Sequence, residues 1–132
     1  MIIGIDFDGT CVKHAYPKIG EDIGAVPVLK EFVRQGHLLV LNSMRAGKLL
    51  EDAVQWFKDN GIELYGANHT PGQESWTQST KTYANVYIDD AALGCPKTID
   101  DQGHIFVDWR YISRVFGYDY DELCKKQTNG SN

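Results

Sequence analysis

An α/β fold with a central, mainly parallel sheet is predicted by three observations. Short apolar runs of strand length alternate with longer segments of helical periodicity, the pattern of crossover units. Three of those runs end in polar or acidic residues: Asp6 and Asp8, then Asn42 and Ser43, then Asp89 and Asp90. Parallel strands put their carboxyl ends on one edge of a sheet, so the three clusters converge where open α/β sheets bind ligands.

Each element has its own signal. Residues 2–5 are continuously apolar, as a strand buried on both faces requires. Residues 11–24 hold Lys13, His14, Pro17, Gly20 and Gly24 with little periodicity, and read as a loop or small hairpin over the end of that strand. A helix is expected over 26–35, with Pro27 in its first turn, Val28, Leu29, Phe32 and Val33 on one face and Gly36 as its stop. Residues 37–41 form a second apolar run. A helix over 47–60 carries Leu50, Val54 and Phe57 as its buried stripe and ends at Gly61.

A short third strand is expected over 62–65. Residues 66–80, with Gly66, Pro71 and Gly72, read as a long loop holding a turn of helix near its end; a loop of that length in a compact domain usually serves function. A fourth strand over 84–88 stops at Asp89-Asp90, and residues 104–107 form a short fifth. Asp108 caps a helix through Phe116 that turns Trp109, Ile112, Val115 and Phe116 inward and closes at Gly117. A last helix covers about 119–126.

The chain has 132 residues, enough for one core and too few for two; residues 1–127 read as a single domain and 128–132 as a polar tail. Its apolar share of 42% and charged share of 23% are ordinary for a globular protein. A net charge of -5 argues against a surface that tracks a phosphate backbone, though not against a local basic site. Cys11, Cys95 and Cys124 are widely spaced and form no Cys-x-x-Cys pair, which reads as reduced thiols in the cytoplasm. The apolar start is too short for a secretory leader, and no segment has the length of a membrane span.

The chemistry concentrates in the first ten residues. Asp6 and Asp8 are two apart on an extended chain and point the same way, Gly9 lets the backbone turn, and Thr10 offers a hydroxyl to hold the acids. Two anions so placed repel unless something positive sits between them, which points to a hard metal ion and a phosphate. A solvated turn is the plain alternative. A calcium loop of the EF-hand kind is excluded, because its twelfth position, which needs Glu, is Pro17 here.

Together these residues resemble the haloacid dehalogenase (HAD) superfamily of phosphotransferases. Asp6-Phe-Asp8-Gly9-Thr10 looks like its first motif, Ser43 followed by Arg45 like the second, Lys81 like the third, and Asp89-Asp90 after Val86-Tyr-Ile88 like the fourth. The resemblance implies a three-layer Rossmann-like fold and a phosphatase, since members that hydrolyse phosphates carry an acid at the position of Asp8 and dehalogenases do not. It implies Asp6 as nucleophile and Asp8 as general acid and base. Mg²⁺ would be held by Asp6, the backbone carbonyl of Asp8 and one of Asp89 and Asp90, with Asp90 favoured as the direct ligand.

Ser43 and the neighbouring backbone N–H groups, that of Met44 among them, would bind phosphate oxygens together with Lys81. Arg45 is expected to bear on substrate choice, because its planar fork suits phosphate or carboxylate. The segment Ser43-Met-Arg45-Ala-Gly47 is similar to its counterpart in the phosphatase domain of polynucleotide kinases. The four histidines show no ligand spacing and read as surface or supporting residues.

Neither the interval from Asp8 to Ser43 nor that from Ser43 to Lys81 has room for a cap domain. The site is therefore expected to be open, rimmed by 11–24 and 66–80. An open site suits a phosphate on a nucleic-acid end or another large molecule, or a small phosphorylated molecule enclosed by a second subunit of a homo-oligomer. The alternative is a phosphate-binding or receiver-like signalling domain without turnover, although receivers order their acids the other way round.

Overall fold

The computed structural model describes residues 1–128. β1 (Ile2–Ile5), β2 (Leu38–Leu41), β3 (Gly66–Ala67) and β4 (Val86–Ile88) form a parallel sheet in the order β3-β2-β1-β4. In register, Ile3 pairs with Leu39 and Val86, and Ile5 with Leu41 and Ile88. α1 (Ala25–Arg34) connects β1 to β2, and α2 (Gly47–Asp59) connects β2 to β3. This is the parallel α/β fold that the alternation of runs predicts, in the Rossmann-like, three-layer form that the resemblance implies.

One sheet face carries the core. Ile3, Ile5, Leu39, Leu41 and Ile88 cluster with Leu29 and Phe32 of α1 and with Ala53 and Phe57 of α2. The opposite face is covered by the segment 68–85, which contains a single 3-10 turn (Gln73–Ser75). There Tyr87 lies against Gly4, where a side chain would meet its ring, and Tyr87 donates its hydroxyl proton to Thr82 O at 2.5 Å. Buried Glu31 accepts from the side chains of Arg34 and Gln35, so its charge is answered within α1 and the residue after it.

The third strand lies at Gly66–Ala67 rather than at 62–65. Ile62 N–H donates to Phe57 O at 2.9 Å, so the chain first closes α2 and buries Ile62 before it reaches β2. Residues 104–107 do not extend the sheet either. β6 (Ile105–Val107) pairs antiparallel with β5 (Lys97–Ile99), a strand the sequence does not announce because all three of its residues are exposed. Asp100 ties their turn, accepting from the N–H groups of Gln102 and His104, each at 2.9 Å.

α3 (Trp109–Val115) begins at Asp108, whose carboxylate accepts from Tyr111 N–H. Its inward stripe is Trp109, Ile112, Ser113 and Phe116, spaced i, i+3, i+4 and i+7. Val115 falls off that stripe and is 67% exposed, against the sequence expectation. α4 (Tyr120–Thr128) packs on α1 and α3. Of the polar tail expected over 128–132, residues 129–132 lie outside the described residues. Among the described residues no helix is long and apolar enough to cross a membrane.

Candidate active site

The acids meet because β1 and β4 are parallel neighbours in register. Asp6 N–H continues the ladder onto Ile88 O at 3.0 Å, which sets Asp6 beside Asp89. One oxygen from each of Asp6, Asp89 and Asp90 lies within 4.8 Å of the other two. Buried Thr10 stands among them. Its hydroxyl donates to Asp6 Oδ2 at 2.9 Å, lies 3.4 Å from Asp90 Oδ1, and accepts from Asp90 N–H at 3.0 Å. Thr10 is held in turn from α3, where Trp109 Nε1–H donates to its carbonyl at 2.6 Å. Gly9, at φ 83°, makes the turn that brings the Thr10 and Cys11 N–H groups back onto Phe7 O.

Burial first, and then the Asp89 charge, push the Asp6 carboxyl up to about 8. Two carboxylates about 4 Å apart repel by roughly 4 kcal/mol at an effective dielectric of 20, which is why the Asp89 charge acts on Asp6 in the same direction as burial. Hard oxygen donors at this separation fit a divalent cation such as Mg²⁺. Asp6, Asp89 and Asp90 are the residues that could hold it.

The Asp8 side chain is turned away from this trio toward Arg45. Nε and Nη2 of Arg45 each lie 2.8 Å from one Asp8 oxygen. The remaining donors reach three carbonyls: Nη2 meets Lys18 O at 2.8 Å, and Nη1 meets Pro17 O and Leu49 O, both at 3.3 Å. All five N–H groups of the guanidinium are therefore engaged inside the protein, and Arg45 is only 2% exposed. The ring of Phe7 lies 5.1 Å and that of Tyr16 5.2 Å from it. The Asp8 hydrogen bonds raise the Arg45 pKa further above its ordinary value. As placed, Arg45 holds Asp8 rather than offering its fork to a ligand, which changes the role expected of it from sequence.

Ser43 lies two residues past the end of β2, and its surroundings are closed on one side. Asn68, after β3, accepts from Ser43 N–H at 2.7 Å and donates to Arg45 O at 3.2 Å, while Ser43 Oγ accepts from Arg45 N–H at 3.0 Å. Donors open to a ligand at this turn include the Ser43 hydroxyl and the N–H of Met44, a residue 98% exposed.

Lys81 sits over a β4 side chain. Its Nζ sits 5.2 Å over the ring of Tyr87, two residues before Asp89 on β4 and so on the same sheet face as that acid. It reaches none of the acids by an ion pair. Buried Gln73 clamps its segment, donating to Lys81 O at 2.6 Å and accepting from Tyr83 N–H at 2.9 Å.

Residues 11–24 fold as a small hairpin, with Lys13 N–H on Glu21 O and Ile23 N–H on Cys11 O, and the 66–80 segment brings Asn68 to Ser43. The β5–β6 hairpin, which the sequence does not announce, also reaches the site: Val107 N–H meets Gly9 O at 3.3 Å, and Lys97 Nζ donates to Asp90 O at 3.0 Å. Lys97, Asn68 and Gln73 are supporting residues the sequence reading passed over, and His14, which it left among the surface or supporting histidines, joins them. For His14, a histidine six residues past Asp8 in a loop at the carboxyl edge was the available signal.

No protein-family model matches the chain, and no curated protein matches it. Among solved structures it is similar to that of a conserved protein coded by a locus of Bacteroides thetaiotaomicron. The two share 39% sequence identity over 88% of each chain, with a TM-score of 0.73.

Proposed function

The chain belongs to one family with that conserved Bacteroides thetaiotaomicron protein, and we propose that it is a magnesium-dependent phosphomonoester hydrolase of the HAD type. The observation that carries this reading is the gathering of Asp6, Asp89 and Asp90 around one point, with Asp8 fixed alongside. The metal would be held by Asp6, the Asp8 carbonyl and Asp90. The resemblance favours Asp90 as the direct ligand, with Asp89, whose Oδ1 accepts from Ala91 N–H at 2.8 Å, as a partner through water. When bound, Mg²⁺ supplies positive charge for the phosphoryl oxygens.

An Asp6 oxygen attacks phosphorus, the bond to the leaving oxygen breaks, and Asp6 carries the phosphoryl group as an acyl phosphate. Asp8 gives its proton to the leaving oxygen. It then takes a proton from water, which attacks phosphorus and frees inorganic phosphate and Asp6. Arg45 fixes the plane of Asp8, and each Asp8 oxygen keeps a second lone pair turned from the guanidinium for this exchange. The Ser43 hydroxyl and the Met44 N–H bind phosphate oxygens, and Lys81 approaches along the face of β4. The substrate is a phosphorylated small molecule or a nucleic-acid end. Three unpaired cysteines support a cytoplasmic setting.

The test is phosphate release from p-nitrophenyl phosphate with Mg²⁺. Activity is expected to vanish with a chelator and in Asp6→Asn. Turnover that survives Asp6→Asn removes the nucleophile from the scheme, and stable phosphorylation of the protein without turnover points to the receiver-like alternative.

A further inference from the structure

We propose that His14 is a positioning residue that orients Asp90 for the metal; the inference rests on the magnesium reading of the acid cluster. His14 Nε2–H donates to Asp90 Oδ2 across 2.9 Å. That contact completes a grip found on no other acid of the cluster. Asp90 N–H donates to Thr10 Oγ1, the same hydroxyl lies against Oδ1, and Lys97 Nζ donates to the Asp90 carbonyl. The backbone and the inner oxygen are thus fixed by Thr10 and Lys97, while the outer oxygen has His14 as its protein donor. Without it the carboxylate loses the bond that sets its plane.

The pair is built into the turn. At Gly9 a Cβ would overlap both His14 Nε2 and Asp90 Oδ2, and the backbone there has a φ of 83°. Glycine therefore serves two demands at once: the left-handed turn, and the space in which histidine and aspartate meet. The His14 ring is not wedged by packing. Its side chain is 60% exposed, and its outer side borders a cavity of about 120 Å³ shared with Lys13, His104, Ile105 and Phe106. The hydrogen bond, rather than crowding, aligns ring and carboxylate.

Carboxylates that ligate metals are commonly held by an outer donor, and losing such a donor weakens metal binding by about 10–100-fold. Water replaces part of what an exposed ring supplies, so the lower end, about 10-fold, is expected here.

Isothermal titration of Mg²⁺ into the metal-free protein at constant pH tests the proposal. His14→Ala should bind Mg²⁺ about 10-fold more weakly than wild type. His14→Gln, whose Nε2 sits the same number of bonds from the backbone, should regain most of the loss. With p-nitrophenyl phosphate, saturating Mg²⁺ should restore kcat in His14→Ala. An unchanged Kd in His14→Ala overturns the proposal, as does an equal deficit in the Ala and Gln variants. Absence of Mg²⁺ binding by wild type overturns the magnesium reading itself, a result distinct from a wild type that binds and a His14 that does not matter.

Discussion

Arg45 and Asp8 meet edge to edge, two parallel N–H···O bonds of 2.8 Å joining a guanidinium sealed from solvent to a carboxylate at the mouth of the site. The pair links the end of β2 to the loop after β1, so what looks like substrate chemistry in the sequence is architecture in the fold. Removing the cation alone leaves Asp8 and the carbonyls of Pro17 and Lys18 without the donors they have here. Arg45→Met should cost about 3 kcal/mol in urea unfolding, the toll of breaking a buried pair. Adding Asp8→Asn should return part of that loss. A double-mutant cycle that is simply additive would deny the coupling.

Asp6 makes the metal-free protein sensitive to alkali. The unfolded chain gives up this proton near pH 4, whereas the folded carboxyl keeps it until about 8. Between those values the native state binds more protons than the unfolded one, so this contribution to stability is present at low pH and is lost as pH rises toward 8. The melting temperature of wild type relative to Asp6→Asn should therefore fall between pH 5 and pH 8 in chelator. Mg²⁺ should raise it more at pH 8 than at pH 5. A flat difference across that range contradicts the prediction.

Thr10→Val keeps shape and removes the hydroxyl that bridges Asp6 and Asp90. Asp90 N–H then loses its acceptor, at a cost of about 1–3 kcal/mol by chemical denaturation. Mg²⁺ affinity, read by titration, should drop with it. Wild-type affinity in the valine variant would show that the bridge does not organise the cluster.

Gln73→Leu tests the clamp under Lys81. Two carbonyls and the Tyr83 N–H lose the buried amide that joins them, and about 2 kcal/mol of stability should go with it. Hydrogen exchange should accelerate over residues 79–83 before it does elsewhere. Uniform acceleration would mean that Gln73 braces the whole sheet instead.

Much of this arrangement is legible in the residues. Apolar runs ending in acids announce β1 and β4, and parallel pairing then forces Asp6 next to Asp89. What stays hidden depends on direction and on chain return. Ile62 has the look of a strand residue, yet it folds back onto Phe57, and β3 starts only at Gly66. Lys97–Ile99 is exposed throughout, so no hydrophobic rhythm marks it as a strand. An arginine at a helix start does not say which way its fork points; the carbonyls of Pro17, Lys18 and Leu49 decide that. Val115 misleads for the opposite reason, being apolar but one step off the buried stripe.

The hydrogen bond from Trp109 to Thr10 O spans 99 positions of chain. On the ribosome, the loop bearing Asp6 and Asp8 emerges before α3 and waits for its brace until α3 has left the exit tunnel. A nascent fragment that stops short of residue 109 carries the leading aspartates without the contact that sets their loop. A chain made only as far as β3 holds Asp6 with nothing to converge on, because Asp89 and Asp90 have yet to arrive.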